Sequence, residues 1–468
     1  MNNSITGDPA ASIAAADTSA ISSTATPLIQ SERLQIIDAL RGIALLGILL
    51  MNIPYFAMPV MAATDLRVRN EYSGINYYTW WTVSGFFEGT MRGLFSMLFG
   101  AGSILLLNRL EKKHQGTYPA DIYYRRLLWL LVFGLINAFV FLWVGDILYS
   151  YAICGLLIFP FRKLAAKHLL LIGIALMLIL NVKNTLSLYE SKNNRVKGEY
   201  AVALEKKKAT LTDVQKKDKE NYLARQERLK PASLKKEAAK ETAEYRKGYF
   251  SLMSYLKNIN VEIQTVVFYN NYLYDVLAFF FFGMAFFKWG ILTGQRSIRF
   301  YAVMSVIGYI VGLTLSYILL RTAVDVKFDK SYLADKQLVD FYDEKRIFLC
   351  MGHLGLLMVL FKSGMVRGFF GVMAKVGQMA FTNYLMQSII CTFIFNGYGL
   401  RWFNALERYQ IYYVVAGVWL FQIIFSSIWL KYYRFGPFEW LWRSLTYWHL
   451  QPMSRRTKDL PLTTIPAI

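Results

Sequence analysis

Apolar residues run along this chain in blocks of membrane length, and polar residues punctuate them at regular intervals. The blocks predict helices over Ile36 to Ile53, Trp80 to Leu107, Arg126 to Trp143, Ile147 to Phe161 and Leu169 to Val182. Five more follow, over Val267 to Phe287, Ile298 to Leu320, Ile347 to Phe361, Val376 to Phe395 and Ile411 to Leu430. A helix rising about 1.5 Å per residue needs roughly 20 apolar residues to cross a bilayer. The fold class implied is all-α, a polytopic membrane bundle of ten helices. Residues 1–30, rich in Ala, Ser and Thr, have no apolar period and no signal-peptide plan, and read as a disordered tail. The expected organisation is therefore the tail, a membrane half over 31–182, an insert over 183–250, a second membrane half over 251–430, and an interfacial segment with a tail over 431–468.

Loop charge orients the bundle. Arg109, Lys112, Lys113, Arg125 and Arg126 outweigh Glu111 and Asp121 in the 108–126 loop, and Arg162, Lys163 and Lys167 fill the next loop but one. Lys288, Arg296 and Arg299, then Lys362, Arg367 and Lys375, continue the alternation, while 57–79 and 321–346 are near neutral. Basic short loops face the cytoplasm, so ten helices with both termini cytoplasmic satisfy the pattern. The insert is Lys-rich on the opposite side, but segments longer than about 60 residues escape the rule. Its Ala, Leu, Lys, Glu and Gln favour helix broken near Pro231. Leu204, Leu211, Val214 and Leu223 make only a sparse stripe, which reads as a solvated helical pair rather than a lid.

These loops account for the formal charge of +21 in a chain that is 55% hydrophobic, so the partner implied is the lipid bilayer and not nucleic acid. Cys154, Cys350 and Cys391 fall in apolar runs without CxxC spacing, which predicts neither disulfides nor a metal site. Signatures of soluble enzymes, such as a P-loop, HExxH or GxSxG, are missing from the sequence.

Polar residues inside the apolar blocks mark the candidate chemistry, because a charge in hydrocarbon costs about 2.5–3.5 kcal/mol on insertion scales and faces a bundle interior or a wet cavity. Asp38 and Arg41 stand three apart and can pair, and Asn52, about three turns on, returns to their face. Glu88 and Arg92 are four apart in the order that favours pairing. Gly93, Gly100 and Gly102 read as close-packing positions. Asn137 lies in the third block and Asp146 after it, where it serves as a general base or as an N-cap. Asp275 lies in the sixth block, and His353 is the one histidine within an apolar run, a proton shuttle or a hydrogen-bonded structural residue. Asn383 and Gln387 share a face one turn apart, as do Gln378 and Thr382, and read first as interhelical polar glue. Glu439 and Arg443 form another i, i+4 pair in an aromatic-rich segment after the tenth block.

Several segments resemble the YeiB-like family of bacterial inner-membrane proteins of unknown function: IDALRGIALLGILLMNI, LFSMLFGAG, GDILYSYAICGLL, GQMAFTNYLMQSIICTFIFNGYGL and WLKYYRFGPFEWLWRSLTYW. That family is similar in its first helix to transmembrane acyltransferases, which move acyl groups from a cytoplasmic donor to an extracytoplasmic sugar or glycan. Arg41 matches an Arg of those enzymes, but Asn52 stands where they carry a catalytic His, and an amide is no general base. YeiB-like relatives often have a His where this chain has Asn137, and Lys-Phe-Arg where it has Thr90-Met91-Arg92. The resemblance implies a bacterial inner-membrane protein, acyltransferase-like, acting on an envelope carbohydrate or lipid. Acyl-coenzyme A would be the donor substrate, with no resident cofactor. His353 or Asp146 would be the base, with Asp38, Arg41, Asn52, Glu88, Arg92, Asn137, Asn383, Gln387, Glu439 and Arg443 around the substrates. A carrier or exporter of a small solute or lipid precursor, and a non-catalytic partner protein docking through its insert, are the alternative readings. The oligomeric state stays open.

Overall fold

A computed structural model describes residues 35–455, so the reading of residues 1–30 as a disordered tail lies outside the described residues. Among the described residues the chain is helical, with a single isolated bridge between Tyr433 and Ser454 and no strand. The helices are α1 Gln35–Ala57, α2 Val60–Thr64, α3 Gly74–Phe86, α4 Thr90–Lys113, α5 Tyr118–Phe139, α6 Leu148–Ile158, α7 Ala166–Lys206, α8 Asp213–Arg228 and α9 Pro231–Tyr245. After them come α10 Tyr249–Glu262, α11 Leu273–Lys288, α12 Ile298–Asp325, α13 Leu333–Lys336, α14 Tyr342–Ser363, α15 Arg367–Gln378, α16 Ala380–Phe395, α17 Ile411–Tyr432 and α18 Pro437–Tyr447.

Among the described residues, seven helical stretches are long and apolar enough to cross a membrane, one of them Gly74–Lys113, which combines α3 and α4. The chain is a multi-pass membrane protein. The ten apolar blocks are largely helical, but α6, with 11 residues, and α16, with 16, are shorter than a full crossing, α11 continues a π-helical stretch over Ile263–Tyr272, and the ninth block divides between α15 and α16. The second block is not one helix. Gly89, at φ +73°, breaks it between α3 and α4, and a Cβ there would collide with the Arg346 side chain, so glycine meets both needs at once.

Close helix approaches organise the bundle. A Cβ at Gly377 of α15 would overlap the Asp38 carbonyl oxygen of α1, and one at Gly42 would overlap Met373 O. Small residues let the backbones meet, as is usual between membrane helices, and this contact fixes the depth of Asp38 and Arg41. Gly93 abuts Phe279 and Gly100 abuts the Phe280 backbone, whereas Gly102 looks toward the Arg41 guanidinium, 3.7 Å from where its Cβ would lie.

The basic loops meet at one end. Lys288 Nζ donates to Arg162 O (2.8 Å) and Leu164 O (2.6 Å), Lys362 Nζ donates to Gly294 O (2.7 Å), and Arg162 Nε pairs with Glu111 (2.8 Å). At the other end, Arg408 pairs with Glu71, and Arg69 donates to Asn404 Oδ1 (2.6 Å). The insert stands at this end too. Its first part is the 41-residue α7, which continues unbroken out of the apolar block. Arg195 on α7 pairs with Asp335, and Arg225 on α8 with Asp329 (2.7 Å). Solvated and docked parts divide cleanly: α8 buries no residue, whereas α9 buries Leu234, Ala238, Thr242 and Tyr245. Tyr245 stacks on Phe403 at 4.0 Å, and Glu241 accepts the Val60 N–H at 3.2 Å.

Candidate functional site

Two cavities open along α1, one toward each end of the bundle. The cavity at the basic-loop end, about 210 Å³, holds Asp38 and Arg41 from α1, Arg126 from α5, Gln378 from α15, and Glu439, Trp442 and Arg443 from α18. Most of the rest of its wall is apolar, including Phe95, Leu98, Phe99, Leu106 and Leu130, with hydroxyls from Ser103 and several tyrosines. Arg41 Nη1 donates to Asp38 Oδ1 at 2.9 Å, as the i, i+3 spacing predicts. Arg126 lies over the Trp442 ring, 3.6 Å from its centroid, and makes no ion pair among the described residues. Glu439 accepts the backbone N–H groups of Phe381 (2.7 Å) and Thr382 (3.0 Å) in the first turn of α16, where the helix dipole favours a carboxylate. Arg443 sits 4.5 Å from the Phe435 ring.

The cavity at the insert end is larger, about 460 Å³, and contains Asn52, Glu88, Arg92, Asp146, Asp275, Asp343 and Arg346. Its charges pair across helices. Arg92 Nη2 donates to Asp275 Oδ2 at 2.9 Å, and Arg346 Nη1 donates to Asp275 Oδ1 at 2.7 Å. Asp343 lies 3.3 Å from Arg346, and Glu88 lies 3.7 Å from Lys345 Nζ. The expected Glu88–Arg92 pair is thus replaced. The break leaves Glu88 in the turn between α3 and α4 and Arg92 in the first turn of α4, and each takes a partner from elsewhere in the chain.

Asp146 is the carboxylate of this cavity that neutral donors alone hold. Asn137 Nδ2 donates to Oδ1 at 2.7 Å, the Tyr149 N–H donates to Oδ2 at 2.9 Å, and the Tyr384 hydroxyl lies 3.4 Å from Oδ1. The Tyr149 bond is the cap-like role foreseen for Asp146, yet the carboxylate also faces the cavity. Asn137 acts on it from behind. A thin polar wall separates the cavities: Ser96 Oγ and the Tyr151 hydroxyl are 2.6 Å apart, and the Tyr384 hydroxyl accepts the Ile147 N–H at 3.0 Å. Tyr151 and Tyr384 line the basic-end cavity, and Asp146, Ile147 and Ser150 line the insert-end one.

Comparison with known proteins agrees with a YeiB-like bundle. Residues 286–449 match the family described as protein of unknown function (DUF418), a stretch that supplies Asp343 and Arg346 to one cavity and Glu439 and Arg443 to the other. The chain is similar to the YeiB-like DUF418 proteins, through this stretch and along most of its length. It is 29% identical to the uncharacterized protein YxaH of Bacillus subtilis over 438 residues, covering 92% of this chain and 98% of that one. It is also 29% identical to the uncharacterized protein YeiB of Escherichia coli over 425 residues, covering 89% and 96%. An uncharacterized 39.9 kDa protein of Bacillus acidopullulyticus is 26% identical over 431 residues. No solved structure matches significantly.

Four of the candidate site residues, Asn137, His353, Asn383 and Gln387, line neither cavity. His353, a candidate base, does not line either one. Its Nε2 donates to Phe86 O at 2.8 Å and its Nδ1 accepts the Tyr309 hydroxyl at 2.8 Å, so both ring nitrogens are engaged in joining α14 to α3 and α12. Asn383 donates to Val376 O (3.1 Å) and Ser426 Oγ (2.9 Å), and Gln387 donates to Gln422 Oε1 (3.1 Å). Those bonds tie α16 to α15 and α17. Sequence reading did not single out Arg126, Asp343, Lys345 or Arg346. Arg126 counted only as a loop charge, and the other three fell in a segment whose charges cancel. The signal available was that α14 can be extended back to Tyr342, which carries an Asp-x-x-Arg spacing into the membrane.

Proposed function

We propose that this protein is an acyltransferase-like enzyme of a bacterial cytoplasmic membrane. It would take an anionic acyl donor, an acyl-coenzyme A, into the basic-end cavity from the cytoplasm and pass the acyl group to an acceptor in the insert-end cavity. The carrying observation is the back-to-back arrangement: an apolar cavity rimmed with Arg41, Arg126 and Arg443 shares a thin wall with a cavity that presents Asp146. Guanidinium groups suit phosphate, and the apolar wall suits an acyl chain. Asp146 would remove the proton from the acceptor's hydroxyl or amine. The freed heteroatom attacks the thioester carbonyl, the C–S bond breaks, and the thiolate leaves into the basic-end cavity, taking a proton there. No resident cofactor is required.

The test is thermal unfolding of the detergent-purified chain with coenzyme A and a series of acyl-coenzyme A compounds, beside Arg41→Ala and Arg126→Ala. A ligand at a hundred times its Kd stabilises the native state by about 2.7 kcal/mol. A saturable shift that grows with the acyl chain and is lost in the arginine variants supports the reading. No shift with any donor, in protein that unfolds cooperatively, refutes it.

The thinness of the wall favours a second reading, a carrier in which Tyr151 and Tyr384 part to connect the cavities. Solute flux into liposomes that is abolished by Arg92→Ala would support it over group transfer.

A further inference from the structure

The two cavities carry opposite unbalanced charges. At the basic end Asp38 is matched by Arg41 and Glu439 by backbone N–H groups, which leaves Arg126 in excess. At the insert end Asp275 is shared by Arg92 and Arg346, Asp343 sits beside Arg346, and Glu88 beside Lys345. Asp146 remains, with Asn137, Tyr149 N–H and Tyr384 as its partners. An incoming anion would meet that carboxylate without a spare cation to offset it, and desolvating an unpaired charge is costly. An amine would supply the missing partner.

The remaining lining points to the ligand's body. Tyr55, Trp143, Tyr245 and Tyr272 offer aromatic surface, and Asn52 and Asn271 offer amides that both donate and accept. Aromatic faces cover the apolar C–H faces of a ring, while amides and carboxylates take hydroxyls. The volume, about 460 Å³, falls within the range of roughly 300–1,000 Å³ typical of small-molecule sites. Tyr245 comes from α9 of the insert and is anchored by its stack on Phe403, so the insert contributes part of the roof.

We infer that the insert-end cavity binds a hydroxyl-rich ligand of sugar size, neutral or amine-bearing, and excludes carboxylated ones. Its role as acceptor rests on the transferase reading. Its binding does not.

The experiment is a thermal-shift titration of the full detergent-purified chain, without any acyl donor, against methyl glucoside, glucosamine below its amine pKa, and glucuronate at matched ionic strength. Expected are saturable shifts with the first two and none with glucuronate. Asp146→Asn should raise the Kd for glucosamine about tenfold or more, the scale of a lost hydrogen bond to a charged group, and leave methyl glucoside nearly unchanged. Tyr245→Ala should weaken both sugars alike. Glucuronate binding as tightly as methyl glucoside overturns the inference. So does the absence of a saturable shift with any sugar in protein that unfolds cooperatively, or indifference of the Kd values to both substitutions. Donor binding with sugar failure would sink this inference alone, and sugar binding with donor failure would sink only the transferase reading.

Discussion

Arg346 and Asp275 meet in the middle of the bundle at 2.7 Å, both nearly sealed from solvent, and Arg92 reaches the other oxygen of the same carboxylate at 2.9 Å. One aspartate on α11 therefore holds two guanidinium groups, from α4 and α14. Such a cluster owes its stability to completeness, because Asp275 and Arg346 have given up nearly all their hydration.

Asp275→Ala should consequently be the most damaging single change in the insert-end cavity. It leaves the buried Arg346 and the half-buried Arg92 facing each other, with Asp343 still beside Arg346, and breaking a buried pair costs about 3–5 kcal/mol. Thermal unfolding of the purified variant, or its yield from the membrane, checks this. Asp275→Asn keeps the shape and loses the charge, so it should fall between wild type and Ala. A wild-type melting temperature for Asp275→Ala would show that the cluster does not hold the helices together.

This cluster also marks where the sequence stopped being readable. Helical periodicity predicted helix in the apolar blocks and the Asp38–Arg41 pair on α1, because those relationships are local, but it ran the second and ninth blocks across breaks at Gly89 and Met379. Glu88–Arg92 was just as local and did not form, since Gly89 turns the chain between them and Asp275 offers a partner 183 residues away. Lys345 and Arg346 looked like parts of a balanced polar loop, and only the extension of α14 to Tyr342 takes them into the bundle. Local spacing predicts pairs well on an isolated helix. Buried charge is satisfied by whichever counter-charge packing delivers.

The α1–α15 contact gives a sharper test of what positions the basic-end cavity. Gly377→Ala puts a methyl group onto the Asp38 carbonyl oxygen, so the helices must separate, at a cost of about 1–3 kcal/mol for overpacking. Gly371→Ala on the same helix meets nothing within 4 Å and serves as the control. Melting temperatures should drop for the first and hold for the second. Because Asp38 and Arg41 move with α1, any donor-dependent shift should also weaken in Gly377→Ala.

Docking of the insert should depend on pH through Glu241. Burial pushes its carboxyl from an ordinary 4.5 up to about 7, the nearby Glu237 adds to the rise, and the Val60 N–H works against it. In the unfolded chain this group releases its proton near that ordinary 4.5. Between about pH 4.5 and about 7 the native state thus keeps a proton that the unfolded state has lost. Stability contributed by this group declines as pH rises through that window and levels off above it. Glu241→Gln retains an acceptor for Val60 and removes the titration, so the difference in melting temperature between variant and wild type should grow in the variant's favour from pH 5 to pH 7. A pH-independent difference would mean that Glu241 does not titrate in that window.

The division of labour between His353 and Asp146 can be measured directly. His353 bridges Phe86 O and the Tyr309 hydroxyl away from both cavities, so His353→Ala removes two buried hydrogen bonds and should lower stability by about 1–3 kcal/mol. It should leave ligand-induced shifts intact in whatever fraction folds. Asp146→Asn keeps a side chain of the same shape with an oxygen for the Tyr149 N–H, and should change stability little while abolishing proton abstraction from an acceptor. In a transfer assay the expected pattern is activity lost in Asp146→Asn and retained per folded molecule in His353→Ala. The reverse pattern would move the base to α14 and require the bond between His353 and Phe86 O to open during turnover.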